Sequence, residues 1–306
     1  MQKRNVLNSP RLLELKKKRH RVVLNKILFS LLGLSAIFIL LAYFSRLNSL
    51  NIDEVRVIGN KIVDAEAIKA VIKQQIAGKY LWLFPKTNIL FYPQNDIRNE
   101  LRDKFKRLKD INLSIKPART TDAVQSGGNN KVLEISLAER VAKYTWCGIE
   151  FPEALLMEDS MEKCYFLDED SYVFDEAPYF SGEVYFKFYG LAGLNINNPL
   201  GFYFFKQNFK QLISFKDILV SIGLKPVALY ITDDGDIQVF LSRGDSLITG
   251  PKIILKMDAD FQNVAENLEA ALTTEPLQSK FKNKYSSLQY IDLRFGNKVY
   301  YKFKSV

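Results

Sequence analysis

Residues 27–45 read ILFSLLGLSAIFILLAYFS, a run of 19 residues without a charge that Lys26 and Arg46 bound on either side. A helix of this length is about 28 Å long, close to the roughly 30 Å hydrocarbon core of a bilayer. Its side chains are apolar or small, so a helix satisfies its own backbone hydrogen bonds while the side chains meet lipid. The run therefore predicts a transmembrane helix, with Tyr43 suited to the aromatic belt at its far end.

The distribution of charge predicts the orientation of this helix. Residues 1–26 hold nine basic residues and one acid, whereas only Arg46 and Arg56 are basic in the first 15 residues after the run. This asymmetry predicts a basic cytoplasmic tail at 1–26 and a C-terminal part outside the membrane. The rest of the chain carries 34 basic and 33 acidic residues, so the net charge of +9 belongs to the tail. We expect the bilayer, and no nucleic acid, as a partner.

Other interpretations of this region are less well supported. A cleaved signal peptide would be followed by a small-x-small cleavage site, and no clear one follows the apolar run. Continuous apolarity on all sides argues against a core helix of a soluble domain. The basic tail could also bind nucleic acid or anionic lipid, but a topology signal is the simpler explanation of its charge.

Histidine and cysteine limit the chemistry expected outside the membrane. His20, the only histidine, lies in the tail, so the outer part lacks a Ser-His-Asp or Cys-His apparatus and a histidine-ligated metal. The acidic turns at 168–170 and 233–236 lack the spacing of an EF-hand. We expect no catalytic, cofactor-binding or metal-binding site. Cys147 and Cys164 could form a disulfide there, and two buried free thiols are the alternative.

Residues 52–140, after a connector at 46–51, predict a small α+β domain. Strands are expected at 52–58, 111–115 and 132–137, helices at 65–77 and 94–108, and a loop at 119–130. Asp64 is the expected N-cap of the first helix, and Gly59-Asn60 is a turn pair after the first strand. The stretch Tyr80–Tyr92 is very apolar and ambiguous between strand and loop. The order β-α-α-β-β and the run LEISLAERVA at 133–142 resemble a POTRA domain.

Residues 141–306 predict a domain made mostly of strands, with a few helices. Turn pairs such as Asp234-Gly235 and Gly296-Asn297 separate alternating segments, as in hairpins. Strands are expected at 142–147, 164–167, 172–174, 183–189, 227–231, 237–241, 246–248, 252–256, 288–293 and 298–303. Helices are expected at 203–222 and from Phe261 to Leu272.

The last strand has two chemically different faces. Val299, Tyr301 and Phe303 alternate with a face that is mostly lysine. A strand at a sheet edge can accept a partner's strand through its unpaired backbone groups. The alternative is that the lysines protect this edge against unwanted pairing.

Taken in order, four motifs resemble the FtsQ/DivIB family of bacterial cell-division proteins. They are VRVIGN at 55–60, LEISLAERVA at 133–142, CYFLDEDSYVF at 164–174 and YIDLRFGNKVYYKF at 290–303. The chain departs from the family pattern at Val141-Ala142, where a proline-containing closure is usual, and in the longer apolar stretch at 80–92. The fold class implied is α+β, with one transmembrane helix, a POTRA-like domain and a C-terminal β domain.

The resemblance implies a non-enzymatic divisome scaffold in the cytoplasmic membrane at the septum. Family members bind the small single-span proteins FtsB and FtsL through their C-terminal strands, and the POTRA unit recruits other divisome proteins. Phe295, Tyr301 and Phe303 are the expected apolar anchors, and Arg294 is expected to pair with a partner acid. The matching positions are Tyr290, Asp292, Arg294, Phe295, Val299, Tyr301 and Phe303. A POTRA-bearing scaffold for secretion or envelope assembly, and an extracytoplasmic hydrolase or transferase, are the alternatives.

Overall fold

The computed structural model describes residues 10–117, 131–151, 163–180, 184–190, 198–242 and 250–304. The predicted loop at 119–130 and the predicted strand at 246–248 lie outside these ranges. Two compact units are formed, one by Met1–Leu101 and Asp110–Leu137, the other by Arg102–Lys109 and Ala138–Val306. The second unit thus includes the short segment Arg102–Lys109.

The described part of the chain begins with one long helix, α1 (Pro10–Ser45). This helix continues through most of the basic segment and so begins well before the apolar run. Its portion Glu14–Ser45 is long and apolar enough to cross a membrane. Of the α1 side chains described, only Ala42 and Ser45 are buried. Apolar side chains exposed all round are what a single-pass membrane helix requires.

The rest of the first unit alternates strands and helices. Asp64 caps α2 as predicted, since its carboxylate accepts hydrogen bonds from the N–H groups of Glu66 and Ala67 at 3.3 and 3.0 Å. Helix α3 ends four residues earlier than predicted, because Leu108 is buried as the first residue of the next strand. The elements are β1 (Ile52–Ile58), α2 (Ala65–Ile76), β2 (Lys79–Tyr80), β3 (Phe84–Pro85), α3 (Gln94–Lys104), β4 (Leu108–Pro117) and β5 (Lys131–Glu139).

Three of these strands form a sheet in the order β1-β5-β4. Strand β1 runs parallel to β5, with Val55 opposite Leu133 and Ile58 opposite Ser136. Gly59 has a positive φ of 88°, and a Cβ there would lie 2.2 Å from the carbonyl oxygen of Leu137. The turn after β1 therefore requires glycine. The short strands β2 and β3 form a separate antiparallel hairpin.

The second unit is built on one nine-stranded sheet, in the order β14-β13-β12-β11-β10-β9-β6-β7-β8. The sheet is mixed, since β6–β9, β9–β10 and β12–β13 are parallel pairs. Its strands are β6 (Tyr144–Trp146), β7 (Cys164–Leu167), β8 (Val173–Ala177), β9 (Phe186–Gly190), β10 (Pro226–Ile231), β11 (Asp236–Leu241), β12 (Lys252–Lys256), β13 (Leu288–Phe295) and β14 (Lys298–Phe303). Its helices are α4 (Phe209–Ser221), α5 (Phe261–Thr273) and α6 (Leu277–Lys284). The sequence pattern did not predict α6.

Alternate residues of the central strands pack on opposite faces of this sheet. Leu229 and Val239 belong to the main core, together with the apolar stripes of α4 and α5. Ala228 and Phe240 belong to a smaller cluster on the other face, where Phe151 stacks on Phe240 at 3.8 Å. Burial on both faces explains why these strands are almost continuously apolar.

A disulfide joins Cys147 and Cys164, which resolves the two alternatives left open by the sequence. The antiparallel register of β6 and β7 pairs Trp146 with Tyr165. The next pair outward in that register is Cys147 and Cys164. The bond therefore joins the two strands at the end where the chain leaves β6 and returns to β7.

Candidate partner-binding edge

Strand β14 forms one edge of the nine-stranded sheet. It pairs with β13, and no other strand in the described part of the chain lies beside it. The register places Ile291 opposite Tyr301 and Asp292 opposite Tyr300. One side of β14 therefore carries unpaired backbone N–H and C=O groups, which another strand could use.

The inner face of β14 belongs to the hydrophobic core. Val299, Tyr301 and Phe303 are half-buried and pack against the main core of the second unit. The ring of Tyr301 lies edge-on to Phe303 at 5.8 Å, and the Lys280 ammonium lies 5.8 Å from the Tyr301 ring. Tyr301 and Phe303, predicted as partner anchors, thus pack against the core of their own chain, and their role as anchors stays a prediction.

The outer face of β14 is exposed and carries Lys298, Tyr300 and Lys302. Tyr300 is 50% exposed, and its ring meets Phe295 edge-on at 5.2 Å. Phe295 is itself 55% exposed at the end of β13. Phe295 and Tyr300, which we call the aromatic pair, thus lie exposed beside Lys298 and Lys302. Sequence reasoning missed Tyr300, although its alternation with the inner-face residues placed it on this side.

Arg294 is held by two carboxylates of its own chain. Its Nε and Nη2 donate to Asp292 at 2.9 and 2.6 Å, and its Nη1 donates to Asp236 of β11 at 2.5 Å. Tyr290 is half-buried on the same face of β13. Arg294 therefore ties the end of β13 to β11, and its pairing with a partner acid stays a prediction.

The ion pair also sets the protonation of the buried carboxylate. Burial by itself would raise the pKa of Asp292, but the hydrogen bonds and charge of Arg294 outweigh it and hold that pKa below its ordinary value. The hydrogen bonds that Arg294 donates to Asp292 in turn raise the pKa of Arg294. Asp292 is thus an anion that fixes Arg294 and is not itself exposed to a partner.

A cleft of about 390 Å³ borders the tip of the β13–β14 hairpin. The start of α5 forms its other wall, where Asp260 caps the helix by accepting from Gln262 and Asn263. Asn267 of α5 donates to the Gly296 carbonyl at 3.4 Å. These contacts hold the hairpin tip against α5 and fix the position of the aromatic pair.

A second polar cluster joins two of the segments that carry the sequence motifs. Arg140 forms an ion pair with the buried carboxylate of Asp168 and lies over the ring of Tyr172 at 3.8 Å. The other oxygen of Asp168 accepts from the N–H groups of Asp170 and Tyr172, both at 2.9 Å. The acidic turn predicted at 168–170 is therefore organised around an arginine.

Among the residues that the structure describes, no three His, Cys, Asp or Glu side chains come together as a metal-ligand set. Comparison of the chain with protein-family models and with curated proteins finds no match.

Proposed function

We propose that this chain is a single-span scaffold of the bacterial divisome, of the FtsQ/DivIB type, which binds small single-span partners by strand addition beside β14. In this proposal α1 anchors the protein in the cytoplasmic membrane, and the chain after the connector at 46–51 lies outside the membrane at the septum. Residues 52–140 are proposed to be a POTRA domain that recruits other division proteins. The observation that carries the proposal is the edge position of β14.

The backbone of β14 would supply the affinity and its outer face the specificity. A partner strand placed beside β14 would pair with the unused N–H and C=O groups. The aromatic pair would then be the apolar anchor, because it is exposed and rigidly placed, and tyrosine and phenylalanine bury a large area with few rotatable bonds. Lys298 and Lys302 favour a partner segment that carries acids.

The disulfide supports the proposed location. Disulfides form and persist in oxidising compartments outside the cytoplasm, and are rare inside it. The bond between Cys147 and Cys164 therefore fits a second unit on the outer side of the membrane. The tail basic residues point to the same orientation through the positive-inside rule.

Capture of FtsB- and FtsL-type partners from detergent extracts tests the proposed site. Truncation before Gly296 would remove core contacts of β14, so the double variant Phe295→Ala, Tyr300→Ala is the sharper test. Loss of both anchors should lower partner capture about tenfold or more, the size expected for central aromatic contacts. Tyr179→Ala is the matched control, because Tyr179 is 75% exposed elsewhere in the second unit.

Two results would contradict the proposal at different levels. Unchanged capture by the folded double variant would refute the site, with the scaffold role left standing. A fluorescent fusion that is spread evenly around the membrane would favour a scaffold for secretion or envelope assembly. Depletion that yields filaments with nucleoids and without septa would support the division role.

A further inference from the structure

Two apolar turns lie beside the end of α1 in the first unit. The hairpin of β2 and β3, Lys79–Pro85, which we call the juxtamembrane hairpin, exposes Leu81 by 74% and Trp82 by 89%. The turn that follows it exposes Leu90 by 70% and Phe91 by 56%. Soluble proteins seldom expose four large apolar side chains in two adjacent turns, because the contact of these side chains with water is unfavourable.

Both turns are attached to α1 by specific contacts. The Phe84 ring meets Phe38 of α1 edge-on at 5.3 Å. Asn88, which is buried, donates to the carbonyl and hydroxyl oxygens of Ser45 at 3.0 and 3.1 Å. Its own side-chain oxygen accepts from the Leu90 N–H at 2.9 Å, so Asn88 holds the second turn against the helix end.

These contacts fix the direction of the hairpin. Phe38 lies two turns before Ser45, which places it about 10 Å from the helix end along the axis. The chain passes from Asn88 at Ser45 back to Phe84 at Phe38, so β3 runs along α1 toward the apolar run and not away from it. A depth of about 5–10 Å below the interface is where interfacial apolar side chains settle in a bilayer.

The tip of the hairpin has the backbone of a mirror-image turn. Leu83 donates its N–H to the Tyr80 carbonyl at 3.0 Å, and the two residues between them, Leu81 and Trp82, have φ of 45° and 65°. Such turns favour glycine or asparagine, because a Cβ is strained at positive φ. Here the two positive-φ positions carry Leu81 and Trp82, whose large apolar side chains an apolar environment would stabilise.

The flanking residues suit the boundary between lipid and water. Lys79 is exposed, and the Lys86 ammonium lies 5.5 Å from the ring of Tyr80. Tryptophan and tyrosine concentrate at membrane interfaces, and lysine beside them meets lipid phosphates. The surface of the juxtamembrane hairpin therefore changes from apolar at its tip to Tyr80 and lysines at its base. This matches the change from hydrocarbon to headgroups at the bilayer interface.

From these observations we infer that the juxtamembrane hairpin and the turn at Leu90-Phe91 insert into the outer leaflet of the bilayer. The inference rests on the membrane placement of α1 in the proposed function. The occupant of the apolar surface is lipid, which already surrounds the helix that the hairpin packs against. The insertion would give the first unit a second membrane contact and would limit its rotation about the connector.

Tryptophan fluorescence of the full-length protein in vesicles tests the inference. The vesicles contain phosphatidylethanolamine and phosphatidylglycerol, with phosphatidylcholine brominated near either the headgroup end or the methyl end of its chains. The chain has two tryptophans, so the emission lost in Trp82→Phe reports Trp82. Trp146 is the internal control, because it is buried and donates to the Gly190 carbonyl at 3.1 Å.

We expect Trp82 to emit at shorter wavelength than in water, to be quenched most by bromine near the headgroups and to resist aqueous acrylamide. If the protein floats with the vesicles but neither bromolipid quenches Trp82, the inference is overturned while the membrane placement of α1 stands. In that case quenching by acrylamide would mean a solvated tip, and protection from acrylamide would mean cover by a second copy or a partner helix. Protein that fails to float would overturn both the inference and the membrane placement of α1.

Discussion

Arg140 and Asp168 form the most buried ion pair described in the second unit, with side chains 12% and 3% exposed. Their charges leave water together, so each depends on the other for compensation. The backbone N–H of Arg140 also donates to the Arg107 carbonyl at 2.7 Å, and Arg107 pairs with Asp175 through two nitrogens. Single side chains thus join segments that are far apart in the sequence.

Replacing Arg140 by methionine should destabilise the second unit strongly. Asp168 would be left as a buried charge without a partner, a loss of about 3–5 kcal/mol. Lys109→Met is the control, because Lys109 pairs with Glu169 at 2.7 Å near the surface, with side chains 33% and 62% exposed. That change should cost at most about 1 kcal/mol. Thermal unfolding of the full chain in detergent would measure both, and equal losses would show that Arg140 is not a structural centre.

The stability contributed by Asp292 should depend on pH in a defined direction. Its pKa is lowered from the ordinary 3.8, so the unfolded chain binds its proton first as the pH falls. The contribution is therefore complete above pH of about 4 and is lost as the pH falls further through the folded pKa. The unfolding free energy of Asp292→Asn should fall below that of the wild type at neutral pH and approach it in acid.

Asp234→Asn, a change in an exposed hairpin turn, is the control for the Asp292 experiment. It should cost little at neutral pH, because no buried ion pair is broken. Urea midpoints measured across the acid range would give both series. A difference between Asp292→Asn and the wild type that grows toward acid pH would contradict the ion-pair assignment.

At the scale of the elements, the parallel pair β9 and β10 depends on one glycine. Gly190 ends β9 with φ of 102°, and a Cβ there would lie 2.1 Å from the Ile231 carbonyl oxygen. The Gly190 carbonyl also accepts the hydrogen bond from the Trp146 indole. The close approach of the two strands therefore leaves no room for a side chain.

Gly190→Ala should disrupt this junction much more than Gly223→Ala. Gly223 follows α4 with φ of 87°, but nothing lies within 4 Å of its Cβ position. The control then measures only the cost of a positive φ, about 1 kcal/mol, whereas Gly190→Ala adds a clash with backbone. The thermal midpoints of the two variants would separate the contributions, and similar midpoints would mean that β9 and β10 can move apart.

Local patterns explain how much of each element the sequence could predict. The Asp64 cap and the stripe of Ile68, Val71, Ile72 and Ile76 defined α2 because both signals lie within one helix. Helix α6 was missed because it is eight residues long and buries only Leu277, too little for a periodic signal. The order of the nine strands was not readable, since it depends on contacts between distant segments.

The candidate site shows the same limit. Alternation correctly separated the two faces of β14, yet it could not tell which face meets the core. The contact of α5 with the hairpin makes that choice, so the more exposed side chain is Tyr300 and not Tyr301. The pair of Arg294 and Asp236 links residues 58 positions apart, and no local pattern predicts it.

At the scale of the whole molecule, the basic tail, α1 and the disulfide are expected to act together. In the proposed topology the tail keeps the N-terminus in the cytoplasm, and α1 delivers the second unit to the oxidising side, where Cys147 and Cys164 can join. Neutralising Lys16, Lys17, Lys18, Arg19 and Arg21 should weaken the orientation, so that part of the protein places its cysteines in the cytoplasm. Those molecules should carry free thiols, which react with a large maleimide in cell extracts prepared without reductant. In the wild-type protein the cysteines should react only after reduction.

Replacing Lys252, Lys256, Lys298, Lys302 and Lys304 by glutamine is the control, because it removes as many charges from the second unit and should leave the thiols protected. Wild-type protein that reacts without reductant would refute the proposed topology.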